Sequence, residues 1–275
     1  MLLTGYQELW FYYSKDNEEA GTDNMYARVI HSDGETENIT LYPEGNFFYD
    51  SDRKYYSVGV PFAAKDYDDI ISIQLFHNAD PCSDKVTRSV EMYLKTLAEN
   101  TLVFDAETCE LADAILTYCK YAKGYFAHRD GDDSLLATEL ISTREYVLKA
   151  LESYPKTVYS GDLMEGLTYV GMSLSLESGI LSRFYFAKSD SIGHTMDGYN
   201  KELDLYYMQG RNVIAELGDT ATIRYYGYQI SYCPLNYIRL ALEREEDEEL
   251  TKVCIALFDC YEAAKRYQNP PIEAP

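Results

Sequence analysis

The stretch "YCKYAKGYF" at residues 118–126 returns as "CYEAAKRYQ" at 260–268, a shift of 142 positions in a chain of 275. Two such echoes must bury equivalent helical stripes, so the chain is expected to hold two related units rather than one irregular one. In the first, Leu111, Ile115, Cys119, Ala122 and Phe126 share a stripe; in the second, Val253, Leu257, Tyr261, Ala264 and Gln268 hold the same register. Amphipathic stripes converge easily, so the order of segments has to carry the inference. Phe11-Tyr12-Tyr13-Ser14-Lys15 corresponds to Phe184-Tyr185-Phe186-Ala187-Lys188, and "EMYLKTL" to "LNYIRLA" ahead of each long helix. The first shift is 173 and the last 142, so the first copy carries about 31 more residues, ascribed to extended turns and the loop after Cys82.

Between these landmarks the early segments read as strands. "ELWFYY" (8–13), "MYARVIH" (25–31) and "ENITLY" (37–42) are aromatic and β-branched, and turn-forming clusters separate them. Tyr56, Val58, Val60 and Phe62, then Ile71, Ile73 and Leu75, alternate as half-buried strands do. The period then changes: after "CSD", Val86, Val90, Tyr93, Leu94 and Leu97 recur at helical spacing. A third helical pattern runs over 135–154 and stops at Pro155. In the second half, strands are expected over 169–177, 180–186, 202–208, 212–217 and 222–230, with a short helix opened by Pro234.

The segments "KYYSVGVPFAAKDYDDIISIQLF", "VEMYLKTLAEN", "LADAILTYCKYAKGYF" and "DGDDSLLA" resemble a module of large surface proteins from gut clostridia and ruminococci. "LTYVGMSLSLESGILSRFYF" resembles the opening of the next module in such proteins. The likeness covers most of residues 1–128 and 165–268. The second copy departs from it, with Ala215-Glu216-Leu217-Gly218-Asp219 in place of "AAKDYDD" and Gln268 in place of Phe126. The resemblance implies an exported, wall-associated protein of an anaerobe and carries no established catalytic residues.

Composition narrows the function classes. With 46 acidic and 24 basic side chains the formal charge is −22, which repels a phosphate backbone, so nucleic-acid and anionic-membrane partners are not expected. Solubility and calcium binding are the two readings of that acidity. Twenty-eight tyrosines against one tryptophan, Trp10, favour strands and half-wet packing surfaces. Six cysteines without a C-x-x-C pair read as buried free thiols. No run approaches the ~20 apolar residues of a membrane span. "MLLTGYQELWFYY" lacks the features of a signal peptide. The location is extracellular or wall-associated if the chain is a piece of a longer protein, and cytoplasmic if Met1 is the native start.

Signatures of catalysis are missing: no P-loop, no dinucleotide fingerprint and no H-E-x-x-H. Ser173 lacks the second glycine of a nucleophile elbow, and His31, His77, His128 and His194 stand apart. Asp130, Asp132 and Asp133 in "HRDGDDS" can supply hard oxygen ligands for calcium or simply cap a helix. In "LWFYY", Trp10 and Tyr12 face one way and Phe11 and Tyr13 the other. One pair can therefore stay open to stack on a sugar ring, unless helices cover both faces. Tyr185 is the second-copy equivalent of Tyr12.

The expected fold is α+β, with two tandem antiparallel β-sandwich-like modules each followed by packed helices. The expected division is a first module over 1–130, a helical linker over 131–162 and a shorter module over 163–275. The alternative is one continuous domain whose halves share a sheet. The expected function is a non-catalytic surface module binding a glycan or protein, with Trp10, Tyr12 and Tyr185 as contacts. A structural spacer is the alternative, a hydrolase is a third reading, and no cofactor other than calcium is implied.

Overall fold

Side-chain alternation sets the strands and capping sets the helices. The computed structural model describes residues 7–14, 25–40, 47–50, 55–175, 180–188, 196–225, 227–244 and 247–269. Over these described residues it is a mixed α+β fold of five helices and several antiparallel sheets.

In the N-terminal half, β1 (Gln7–Ser14), β5 (Tyr55–Phe62) and β4 (Phe47–Asp50) form one sheet in the order β1-β5-β4. Leu9 and Phe11 of β1 turn inward while Tyr12 stays open, as the pleat requires. A second sheet runs β3 (Thr36–Thr40), β2 (Met25–Ile30), β6 (Ile71–His77) and β7 (Asp80–Pro81), with β8 (Val86–Arg88) also on β6. Met25, Ala27 and Val29 alternate into the core from β2. Helices α1 (Val90–Glu99) and α2 (Ala106–Arg129) follow, opened by Ser89 and Asp105, which accept from the Met92 and Thr108 amides.

After α3 (Arg144–Leu151) comes β9 (Val158–Ser160). In the C-terminal half, β10 (Leu167–Ser175), β11 (Leu181–Lys188), β13 (Leu205–Arg211) and β12 (Gly198–Asn200) form a sheet in that order. The hairpin of β14 (Ala221–Tyr225) and β15 (Tyr228–Tyr232) makes another sheet with β9 on its far side. Helices α4 (Leu235–Arg244) and α5 (Glu248–Gln268) close the chain. Among the described residues no sheet takes strands from both sides of α3.

Pairings of one half recur in the other at stepwise shifts. Phe11 faces Val58 and Phe184 faces Met208, shifts of 173 and 150. Tyr49 faces Tyr56 and Tyr199 faces Tyr206, both shifted by 150. Ile73 faces Val86 and Ile223 faces Ile230, shifted by 150 and 144. Asp105 and Asp247, 142 apart, cap α2 and α5. The drop from 173 to 150 falls where β2 and β3 lie, and the drop from 150 to 144 falls at β7.

Among the described residues the sheets stay separate, while the helices share one core. One apolar cluster joins Leu9, Phe11, Val58 and Ile73 to Leu116, Tyr118, Leu235, Leu257 and Phe258. Its centre is the α2–α5 pair, which runs antiparallel: Glu110 near the start of α2 meets Arg266 near the end of α5 at 2.5 Å. A smaller cluster of Leu167, Phe184, Phe186, Tyr225, Ile230 and Tyr232 fills the space between the C-terminal sheets.

Several elements differ from expectation for local reasons. Val86 lies in β8, paired with Ile73, because Ser89 is the cap and starts the helix there. Of 135–154 only Arg144–Leu151 is α-helical, with a 3-10 turn at Asp133–Leu135. The stretch between spends its backbone on neighbours: the Tyr121 hydroxyl donates to the Glu139 carbonyl at 2.6 Å, and the Ser142 amide donates to Asp259 at 2.9 Å. Residues 202–204 form a turn rather than strand, and 212–217 hold a 3-10 turn, Ile214–Glu216, instead of a strand. Residues 222–230 divide between β14 and β15. The expected linker also supplies β9, which pairs with β15. Leu41, Tyr42, Leu176 and Glu177, expected in strands, lie outside the described residues.

Candidate binding grooves

Strand β1 is the edge of its sheet among the described residues, and α1 lies alongside it. Between them runs an open groove of about 780 Å³ lined by Trp10, Tyr12, Val86, Arg88, Met92, Tyr93 and Thr96, with Leu9 and Phe11 at its base. Tyr12 is 63% exposed, and Met92 and Tyr93 are also exposed. The Trp10 ring lies over Gly59, where an added Cβ would come within 3.1 Å of it. Among the described residues its Nε1 is buried without a hydrogen bond. The Tyr93 hydroxyl is pushed up chiefly by burial, with Tyr12 and Tyr267 as its electrostatic neighbours.

The structure brings Trp10 and Tyr12 together on one face, as the alternation implies, but not Tyr185. Tyr185 is only 9% exposed, because β10 lies on the edge of β11 and the Ser173 hydroxyl donates to the Tyr185 hydroxyl at 3.2 Å. Strand β10 therefore removes from Tyr185 the openness that Tyr12 keeps. The contact also occupies Ser173. Tyr185 and Tyr125 are electrostatic neighbours of Tyr237, whose hydroxyl burial also pushes up. The trio Tyr12, Tyr93 and Tyr267 thus has a counterpart in Tyr185, Tyr237 and Tyr125. The last member of each trio comes from the other half.

A second groove of about 720 Å³ runs between β9, β10 and α4, lined by Lys156, Tyr159, Tyr169, Tyr237, Arg239 and Arg244 among others. Nothing in the sequence reading singled it out, because its cations are scattered over 89 positions from Lys156 to Arg244. A shallower depression of about 320 Å³ lies over α2 and α5 and is lined by Glu110, Asp113, Asp259 and Glu262, with Arg266. Two of these carboxylates are engaged, Glu110 by Arg266 and Asp259 by the Ser142 amide.

The acidic loop after α2 works as a helix stop. Asp130 is the C-cap, Gly131 takes φ +89°, and the Asp132 amide returns to the Ala127 carbonyl at 2.9 Å. The Asp132 carboxylate accepts from the Ser134 amide at 2.9 Å, and Asp133 meets His128 Nδ1 at 2.6 Å. Among the described residues no group of three or more His, Cys, Asp or Glu side chains is placed to hold a metal ion. His194 and the Tyr13 side chain lie outside the described residues. No described helix is long and apolar enough to cross a membrane.

The chain matches no protein-family profile, no curated protein and no solved structure.

Proposed function

We propose that the chain is a non-catalytic extracellular surface module that binds a glycan or a protein partner in the groove between β1 and α1. The observation that carries this reading is the lining of that groove. In a chain with 46 acidic residues, Trp10, Tyr12, Met92 and Tyr93 converge with Arg88 and Thr96, and no carboxylate is among them. Exposed aromatic faces beside a few polar groups suit sugar rings or an aromatic-anchored peptide.

The proposed architecture is a duplicated β-sandwich-like unit followed by helices, with units over 1–130 and 163–275 joined by 131–162. The stepwise register shifts and the exchanged tyrosine trios support it. The surface location rests on the resemblance to modules of gut clostridia and ruminococci. No cofactor is assigned. A structural spacer is the second reading, favoured by the helical core that both halves share.

The test presents the recombinant chain to an array of host and dietary glycans and uses it in pull-downs from the same sources. Saturable binding that falls roughly tenfold or more in Trp10→Ala and Tyr12→Ala supports the reading, a loss of the size expected for a stacking aromatic. No ligand above background in either assay overturns it and leaves the spacer.

A further inference from the structure

The groove between β9, β10 and α4 reverses the charge of the molecule around it. Its lining carries Lys156, Arg239 and Arg244 against one carboxylate, Asp247, in a chain of formal charge −22. Asp247 is spoken for: its Oδ1 accepts the Leu250 amide at 2.9 Å as the cap of α5. Neither Lys156 nor Arg244 forms an ion pair among the described residues. Glu245 and Glu246, next to Arg244 in sequence, lie outside the described residues.

Arg239 is the most constrained of the cations. Its side chain is 14% exposed, its Nη2 donates to Asn236 Oδ1 at 2.5 Å, and its buried Nε has no hydrogen bond among the described residues. Glu243 forms a long ion pair with it, 3.8 Å from that Nε, through a half-exposed carboxylate. Asn236 is in turn held by Thr157, whose Oγ1 accepts from Asn236 Nδ2 at 3.2 Å. A guanidinium fixed by Asn236 and only loosely paired with an exposed glutamate keeps N–H groups to donate to an oxyanion.

The first half shows what neutralises the equivalent position. Lys95 matches Arg239 at the shift of 144, and its ammonium pairs with Glu91 at 2.7 Å. The residue matching Glu91 is Leu235, fully buried, so the C-terminal half keeps the cation and discards that partner. Beside the cations stand aromatic rings. Tyr159 is exposed and lies 5.3 Å from the Tyr169 ring, with Tyr237 half-buried across the groove and Val170 and Leu240 as apolar wall.

We infer that this groove binds a carboxylated sugar, such as a uronate-containing oligosaccharide, with the carboxylate on Arg239, Arg244 and Lys156 and the pyranose ring against the tyrosines. The cations favour an anion, and the rings favour a sugar over a plain acidic peptide. The site is separate from the β1 groove and does not rest on it.

The test is a titration of the full chain with oligogalacturonate and with a neutral gluco-oligosaccharide of equal length, at low salt. The expected result is saturable binding of the acidic oligomer, roughly tenfold or more above the neutral one, falling at least tenfold in Arg239→Gln. Trp10→Ala leaves it unchanged, which separates this site from the β1 groove. If Arg239→Gln unfolds, the double change of exposed Lys156 and Arg244 to Gln decides by the same loss. Equal affinity for both oligomers, no binding, or an unaltered Kd in the variants overturns the assignment. Equal competition by a poly-glutamate peptide overturns the sugar half of it.

Discussion

The hydroxyl of Ser72 lies 2.8 Å from that of Thr87 across the β6–β8 pair. Shifted by 150 and 144, Thr222 and Ser231 repeat the contact at 3.2 Å across β14 and β15. The same shifts carry the Glu91 amide bond to the Tyr67 carbonyl, 2.8 Å, onto the Leu235 amide bond to Leu217, 3.2 Å. The same polar contacts therefore recur in both halves at the offsets of the elements that carry them.

The helix starts depend on single polar groups. Ser89 is buried and accepts the Met92 amide at 3.1 Å, and Asp247 accepts the Leu250 amide at 2.9 Å. Ser89→Ala and Asp247→Ala are each expected to cost about 1 kcal/mol, while Asp247→Asn costs little. Urea titrations of the three variants against the parent chain check this, and an unchanged midpoint in both alanine variants contradicts it.

Two glycines are required by close approach. A Cβ on Gly124 would sit 2.7 Å from the Leu135 carbonyl oxygen, and one on Gly161, at φ +78°, would sit 2.0 Å from that of Gly227. In an isolated helix Gly→Ala returns about 1 kcal/mol, so Gly124→Ala should stabilise if propensity ruled. It is expected to lower the melting temperature, and Gly161→Ala to lower it further, because backbone rather than a flexible side chain is in the way.

Burial rather than pairing accounts for the cysteines. Cys109, Cys119, Cys233, Cys254 and Cys260 are buried free thiols and Cys82 is half-buried. Burial pushes Cys254 and Cys260 up to about 12 and raises Cys119 well above its ordinary value. A thiol held protonated and covered is a poor nucleophile. An aromatic disulfide reagent at neutral pH should therefore titrate Cys82 quickly and the other five only on unfolding. Fast reaction of several thiols in the native chain would refute the packing of α2 on α5.

A pH dependence follows from His128. Its imidazole is raised above its ordinary 6.5, first by its hydrogen bond to Asp133, with Glu249 and Asp247 adding. A raised folded value means that the stabilisation is complete below the ordinary value and is lost as pH rises through the raised one. The melting-temperature gap between parent and His128→Gln should accordingly be present at about pH 5.5 and close at alkaline pH. A gap that opens with rising pH would reverse the sign and exclude the pair.

The two long helices, the strands β1, β2, β5 and β6 and the sharing of one face by Trp10 and Tyr12 were legible because periodicity reports which side chains point the same way. What periodicity does not report is who does the covering. Tyr185 reads like Tyr12 until β10 lies over its edge, and residues 135–143 read as helix until Tyr121 and Asp259 take their backbone groups. Likewise the Arg239 groove depends on Leu235 standing where Glu91 stands in the first half, a difference that acquires meaning only once the helices are aligned in space.

Trp10 is the single tryptophan, so its emission reports on the β1–α1 groove alone. Following that emission while titrating a ligand found on the glycan or pull-down screen tests the proposed module most directly. Saturable quenching or a blue shift, with the same Kd as calorimetry and lost in Tyr12→Ala, is the predicted result. Calorimetric binding that persists in Arg239→Gln while Trp10 stays silent would contradict it.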